Sequence, residues 1–198
     1  MRYTFYLLVL LIACVGCASS YRVINPLRIV YQDSSESYGG VLGYRYDVLR
    51  EAGNKKYARK ADDKKIRIVG MKFTNLTDQA INFGEDVEIF ADGQRIIPLP
   101  SDVVKREVKQ ISGLYMLWSL FWVTLSKCEN DDCSVTPIPV GLLIGIGNTV
   151  GASGANRNFH KELEFHNLIT KVVDPGETVK GLLLIRAENE QKLEVHLK

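Results

Sequence analysis

The sequence predicts a mainly β chain, an antiparallel β-sandwich interrupted by one long hydrophobic insert. Three observations carry that prediction. Short stretches of β-branched and aromatic residues recur between turn signals, no strand–helix–strand rhythm links them, and two long uncharged runs occupy the middle of the chain. With 198 residues, 46% of them hydrophobic, the chain can build one ordinary domain around a core. Its formal charge of +2 exerts no global pull toward nucleic acid, so electrostatic arguments must rest on local clusters.

The chain opens on MRYTFYLLVLLIACVGC: Arg2, an apolar run from Tyr3 to Ile12, then small residues beside cysteines. That is the grammar of an export signal, and the run is short for a membrane-spanning helix, which needs roughly 20 apolar residues. Residues 1–17 are expected to form a signal helix that is removed. They resemble the signals of bacterial lipoproteins, which end in a large aliphatic residue, two small residues and the cysteine that receives diacylglycerol. Two sites compete. Leu11-Ile12-Ala13-Cys14 has the aliphatic residue in place but leaves a short signal, whereas Cys14-Val15-Gly16-Cys17 has the usual length with Cys14 where leucine is expected. Lipidation at Cys17 leaves Cys128 and Cys133 as an even pair; lipidation at Cys14 leaves Cys17 as a spare thiol. The resemblance implies a lipid-anchored protein of the cell envelope, at the outer membrane and facing the periplasm or the surface.

Residues 18–40 read as a linker and lead-in, with a strand at 27–31 followed by the polar stretch 32–37. The sandwich domain is expected over 41–198. VLGYRYDV at 41–48 and IRIVGMKF at 66–73 alternate as half-buried strands do. Asn75-Leu76-Thr77-Asp78 supplies a turn, and Asp92-Gly93 separates two apolar runs as a hairpin turn does. Further strands are expected at 168–173, 180–186 and 192–197, the first two joined by the turn Asp174-Pro175-Gly176. Strands so short and so spaced favour an immunoglobulin-like arrangement. FTNLTD at 73–78 and VDPGET at 173–178, with GLLLI at 181–185 behind, resemble the immunoglobulin-like domains of uncharacterised exported bacterial proteins. GNKKY at 53–57 and ANRNF at 155–159 are loosely similar to envelope lipoproteins. The resemblance implies the fold and carries over no catalytic residue.

The insert spans 110–156. Residues 110–126 hold no charge and include Tyr115, Trp118, Phe121 and Trp122; residues 134–156 hold none either, and place Gly141 and Gly145, then Gly147, Gly151 and Ala155, at four-residue spacings. Both lengths suit membrane helices, and small residues four apart let helices approach closely. Between the runs lies an acidic loop whose ends, Cys128 and Cys133, are placed to close a disulfide. The insert therefore reads as a hydrophobic helical hairpin. An inner-membrane span would put the cysteine loop in the cytoplasm and leave Lys105, Arg106, Lys109 and Arg157 outside, against both the positive-inside rule and the redox requirement. Three readings stand: the hairpin enters the leaflet that holds the lipid, it assembles through its glycine face with itself or another envelope protein, or it is buried against the sandwich. Pro137 and Pro139 confine the second helix to roughly 16 residues.

Catalytic and metal chemistry have no visible constellation. His160, His166 and His196 match no zinc spacing, and two cysteines without a nearby histidine are too few for a metal. The glycines at 145–151 lack a phosphate-loop lysine, and Ser153 has no partner at a diagnostic position. From Arg45 to Lys72 ten basic residues face four acidic ones, a cluster that fits either anionic lipid or a solvated helix. The expected function is non-enzymatic and cofactor-free: an envelope lipoprotein for structure, assembly or interaction, with membrane lipid as partner and no nucleic acid. The alternative is a small membrane-active protein that forms a pore through its glycine-rich helix.

Overall fold

The computed structural model describes residues 18–37, 39–129 and 132–198. The signal helix and both candidate lipidation sites, Cys14 and Cys17, lie outside them. In chain order the elements are a 3-10 turn at Pro26–Arg28, β1 (Asp33–Ser37), β2 (Gly40–Arg45), α1 (Val48–Glu51), α2 (Lys55–Asp63) and β3 (Ile66–Asn75). There follow β4 (Ile81–Asn82), α3 (Phe83–Asp86), β5 (Val87–Ala91), β6 (Gln94–Ile96) and α4 (Ser101–Val108). A 3-10 segment at Ser112–Leu120 leads to β7 (Val123–Glu129), β8 (Asp132–Ile138) and α5 (Val140–Phe165). A 3-10 turn at Leu168–Thr170, β9 (Val172–Val173), β10 (Thr178–Arg186) and β11 (Leu193–Leu197) complete the chain. Two compact units result: 21–109 with 157–198, and 110–156 with the described residues 18–20.

The larger unit holds two antiparallel sheets, ordered β1-β2-β3-β10 and β11-β5-β6, and a short β4-β9 pair. Alternation decides their faces. Val69, Met71 and Phe73 of β3 and Leu183 and Ile185 of β10 share one apolar core with Val87, Ile89 and Ala91 of β5 and Leu193 and Val195 of β11. Phe73 and Phe83 meet edge to face there, with ring centres 5.3 Å apart. The intervening residues Ile66, Ile68, Leu182 and Leu184 are buried as well. Helices α1 and α2 pack on β3, and a Cβ on Gly70 would strike Ile29 and Val48. Central strands covered on both faces explain why 66–71 and 181–185 read as nearly unbroken apolar runs.

The strand expectations hold for 41–45, 66–73, 180–186 and 193–197, and Asp92 and Gly93, with φ of 48° and 77°, form the β5–β6 turn. Two neighbouring expectations exchange places. Residues 27–31 are no strand, because Pro26 lacks an N–H and the Asn25 side chain accepts from Leu27 N, which starts a 3-10 turn. The polar stretch expected as linker is instead β1, an edge strand whose pairing with β2 is backbone-driven and needs no apolar face. Residues 168–173 are strand only at Val172–Val173. Helix also takes more of the chain than a mainly β fold implies, since α5 alone runs for 26 residues.

The insert departs most from expectation. Where a helical hairpin was predicted, residues 112–120 are 3-10 and the acidic cysteine loop sits on the β7–β8 ladder. Val123, Thr124, Val135 and Thr136 are β-branched and favour extended backbone, and Pro137 and Pro139 bar a helix until Val140. Only the second arm is α-helical, and it continues past 156 to Phe165. Among the described residues no helix is long and apolar enough to cross a membrane.

Candidate interaction surface

Within the smaller unit, the glycines of α5 separate into two groups. Gly141 and Gly145 are buried against the 3-10 segment: a Cβ on Gly141 would lie 1.9 Å from the Trp118 carbonyl oxygen and 2.6 Å from that of Phe121. A Cβ on Gly145 would lie 3.1 Å from the Tyr115 carbonyl oxygen. The backbone agrees, because Gly141 N donates to the Phe121 carbonyl at 3.0 Å. The close approach that small residues permit is thus used inside the chain. Gly147 meets nothing within 4 Å, and Gly151 touches only the Ala18 methyl, at 3.7 Å.

Packing the glycine face inward turns the apolar side chains out. Leu114, Met116, Leu117 and Leu120 of the 3-10 segment are exposed, as are Phe121 and Trp122 beyond it. So are Ile111, Leu125 of β7, Val135 of β8, and Leu142, Leu143, Ile146 and Val150 of α5. Among the described residues these make thirteen of the twenty large exposed hydrophobic ones, in a segment under a quarter of the chain. Trp118 is half-buried, its ring 5.3 Å from that of Phe121. A soluble monomer rarely gathers so many exposed apolar groups on one segment unless something covers them.

The β7–β8 ladder stands in the same unit, a two-stranded sheet with no third strand among the described residues. A lone two-stranded hairpin is marginal in water. Its register pairs Val123 with Ile138 and Leu125 with Thr136 near the base, and Cys128 with Cys133 and Glu129 with Asp132 near the tip. The ladder therefore grades from an apolar base to a charged tip.

Side-chain amides hold the start of the described chain to this unit. Asn148 Oδ1 accepts from Ala18 N at 2.6 Å. Gln110, almost fully buried, accepts from Ser19 N at 3.4 Å and donates to the Ser19 carbonyl at 2.9 Å. Asn156 brackets Gln110 in turn, accepting from its N–H and donating to its carbonyl, both at 2.8 Å. Neither Gln110, Asn148 nor Asn156 stands out in the sequence; an amide inside an uncharged run was the only signal available.

The remaining chemical groups do not converge. His160 and His166 are pushed below the ordinary imidazole range by burial, and His196 stacks on Phe90 at 4.5 Å. Among the described residues no three His, Cys, Asp or Glu side chains are grouped to hold a metal ion. Ser153 is exposed on α5. Part of the basic cluster is ion-paired: Arg45 with Glu51, Arg50 and Arg67 with Asp62, and Lys65 with Glu188. In the larger unit Tyr21 packs on Tyr57 and Phe159 at 5.3 and 5.5 Å, beside Glu162. Burial raises the Glu162 carboxyl to about 6, and raises the Tyr21 hydroxyl as well. No family model, no curated protein and no solved structure matches the chain.

Proposed function

We propose that the protein is an exported, lipid-anchored protein of the cell envelope that serves assembly or interaction rather than catalysis. Its larger unit is read as an immunoglobulin-like sandwich, and its smaller unit as a second contact that enters the membrane surface. The observation that carries the reading is the concentration of exposed apolar side chains between Ile111 and Val150. Sinking each such side chain out of water is worth about 1.5–3 kcal/mol when burial is complete. Trp122 is exposed beside Phe121, and tryptophan favours the interfacial depth of a bilayer. Lys127, exposed toward the far end of β7, suits the water side, so the contact needs no crossing. A pore would have to assemble through Gly147 and Gly151, because Gly141 and Gly145 already pack against the 3-10 segment.

Mature protein purified from membranes provides the test. The mass of its N-terminal peptide is expected to carry a diacylglyceryl or acyl adduct on Cys14 or Cys17, and an unmodified N-terminus overturns the anchor. The protein should float with vesicles of phosphatidylethanolamine and phosphatidylglycerol without releasing an enclosed dye; release that depends on Gly147 and Gly151 would favour the pore.

A further inference from the structure

Residues 55–64 hold five basic side chains and two acidic ones. Tyr57, Ala58 and Ala61 bury one face of α2 at helical spacing, which turns Lys55, Lys56, Arg59, Lys60 and Asp63 away from the core, with Lys64 at the helix end. The other acid, Asp62, is already taken by Arg50 and Arg67. Helix α4 packs beside α2 in the same unit, and Lys60 Nζ donates to the Lys109 carbonyl at 2.6 Å, so a further cation is held next to this face. The crowding is felt at Lys60. Its ammonium is pushed below the ordinary lysine range by burial and by Arg59, then by Lys109 and Lys64, with Asp63 opposing them. Lys105 and Arg106 of α4 are paired with Glu164 and Asp102. Among the described residues Lys55, Arg59, Lys64 and Lys109 form no ion pair. Like charges gathered in this way repel one another, and an anionic surface relieves the repulsion.

We propose that the outward face of α2, with Lys55, Lys56, Arg59, Lys60 and Lys64 and with Lys109 beside it, docks the larger unit on an anionic lipid surface. The proposal goes beyond the membrane-contact reading, which concerns the apolar segment of the smaller unit, and it can fail separately. Two features select lipid as the occupant. The cations are strung along roughly 12 Å of helix and do not converge, which suits an array of phosphates better than one bound anion. An interface with a folded protein centres on aromatic or apolar anchors, whereas every side chain that α2 turns outward is charged.

The test reads the lysines themselves. Mature protein is mixed with vesicles of acyl-brominated phosphatidylcholine, with or without phosphatidylglycerol, and treated with a water-soluble amine reagent; labelling at each lysine is followed by mass spectrometry. Lys55, Lys60 and Lys64 should label about fivefold more slowly when phosphatidylglycerol is present, and Lys192 and Lys198, flanking β11, should not change. The protection should vanish in about 1 M salt, where the screening length falls to about 3 Å. Arg59 and Lys64 are exposed, so Arg59→Gln with Lys64→Gln removes charge without touching the core. That variant should need about 30-fold more phosphatidylglycerol vesicles to protect Lys55 and Lys60, at about fivefold for each charge removed. Equal labelling on the two kinds of vesicle overturns the docking face. So does protection by inorganic phosphate on phosphatidylcholine vesicles at matched ionic strength, which makes the face a site for a free anion. Quenching of Trp118 and Trp122 by the brominated lipid in the same samples reports on the smaller unit. Quenching without lysine protection leaves the membrane contact standing and this proposal wrong, whereas protection without quenching supports this proposal and overturns the membrane contact of the apolar segment.

Discussion

Buried amides recur as two-point clamps on backbone. Asn54, nearly inaccessible, accepts from Arg22 N at 2.8 Å and donates to the Arg22 carbonyl at 2.7 Å, as Gln110 does for Ser19 and Asn156 for Gln110. Asn75 does more: its amide donates to the carbonyls of Gln79 and Val173 and its oxygen accepts from Thr77. Asn75→Ala strands the buried Val173 carbonyl and should cost about 1–3 kcal/mol in urea unfolding. Glu162 carries the pH prediction. Its carboxyl is raised from 4.5 to about 6 in the fold, so the folded state binds the proton more tightly than the unfolded state. The stability this group supplies is complete below about pH 4.5 and is lost as pH rises through about 6. Glu162→Gln should therefore leave stability unchanged at pH 4 and raise it by about 1–2 kcal/mol at pH 7.5, with thermal unfolding of both proteins at both pH values as the check. None of these roles is legible in the sequence, because a buried amide and a solvated one are written with the same letter.

At the scale of elements, the legible parts are those whose pattern and turn chemistry agree. Asp92-Gly93 and Asp174-Pro175-Gly176 mark their turns because positive φ is required at Gly93 and Gly176, and 66–73 reads as strand because β-branched residues alternate on it. The 110–126 run misleads because length and lack of charge are shared by buried helices, membrane helices and surfaces awaiting a cover, and local propensity at Val123 and Thr124 settles the backbone. The glycines of α5 offer a direct comparison. Gly141→Ala forces backbone apart at Trp118 and should collapse the near-ultraviolet signal of the tryptophans. Gly147→Ala meets open space and should stabilise the helix by about 0.5–1 kcal/mol, read as a higher midpoint in urea. The register that places Cys128 opposite Cys133 suits a disulfide, which we expect to close the otherwise unsupported ladder. Thiol labelling of protein from intact cells should find neither cysteine reactive without reductant.

Taken whole, the molecule divides its tasks between a body of two antiparallel sheets and a 47-residue segment, 110–156, that keeps its apolar side chains outside. That the segment is unusual is plain from its composition. That Gly141 and Gly145 face inward and its leucines outward is not, because the period of small residues says which face is close-packed but not by what. A deletion of 110–156 closed by a short linker should leave a cooperative unfolding transition for the body, read by far-ultraviolet circular dichroism because both tryptophans leave with the segment. The body itself shows how the outer edge of β10 is closed: Leu99 N donates to the Leu184 carbonyl and Leu182 N to that of His166. The opposite edge of that sheet is β1, built from aspartate, serine and glutamate, and β6 of the other sheet is only three residues long. Such edges recruit foreign strands poorly. Copies brought side by side at high concentration can therefore stay separate, because neither edge offers a long apolar strand for exchange between neighbours.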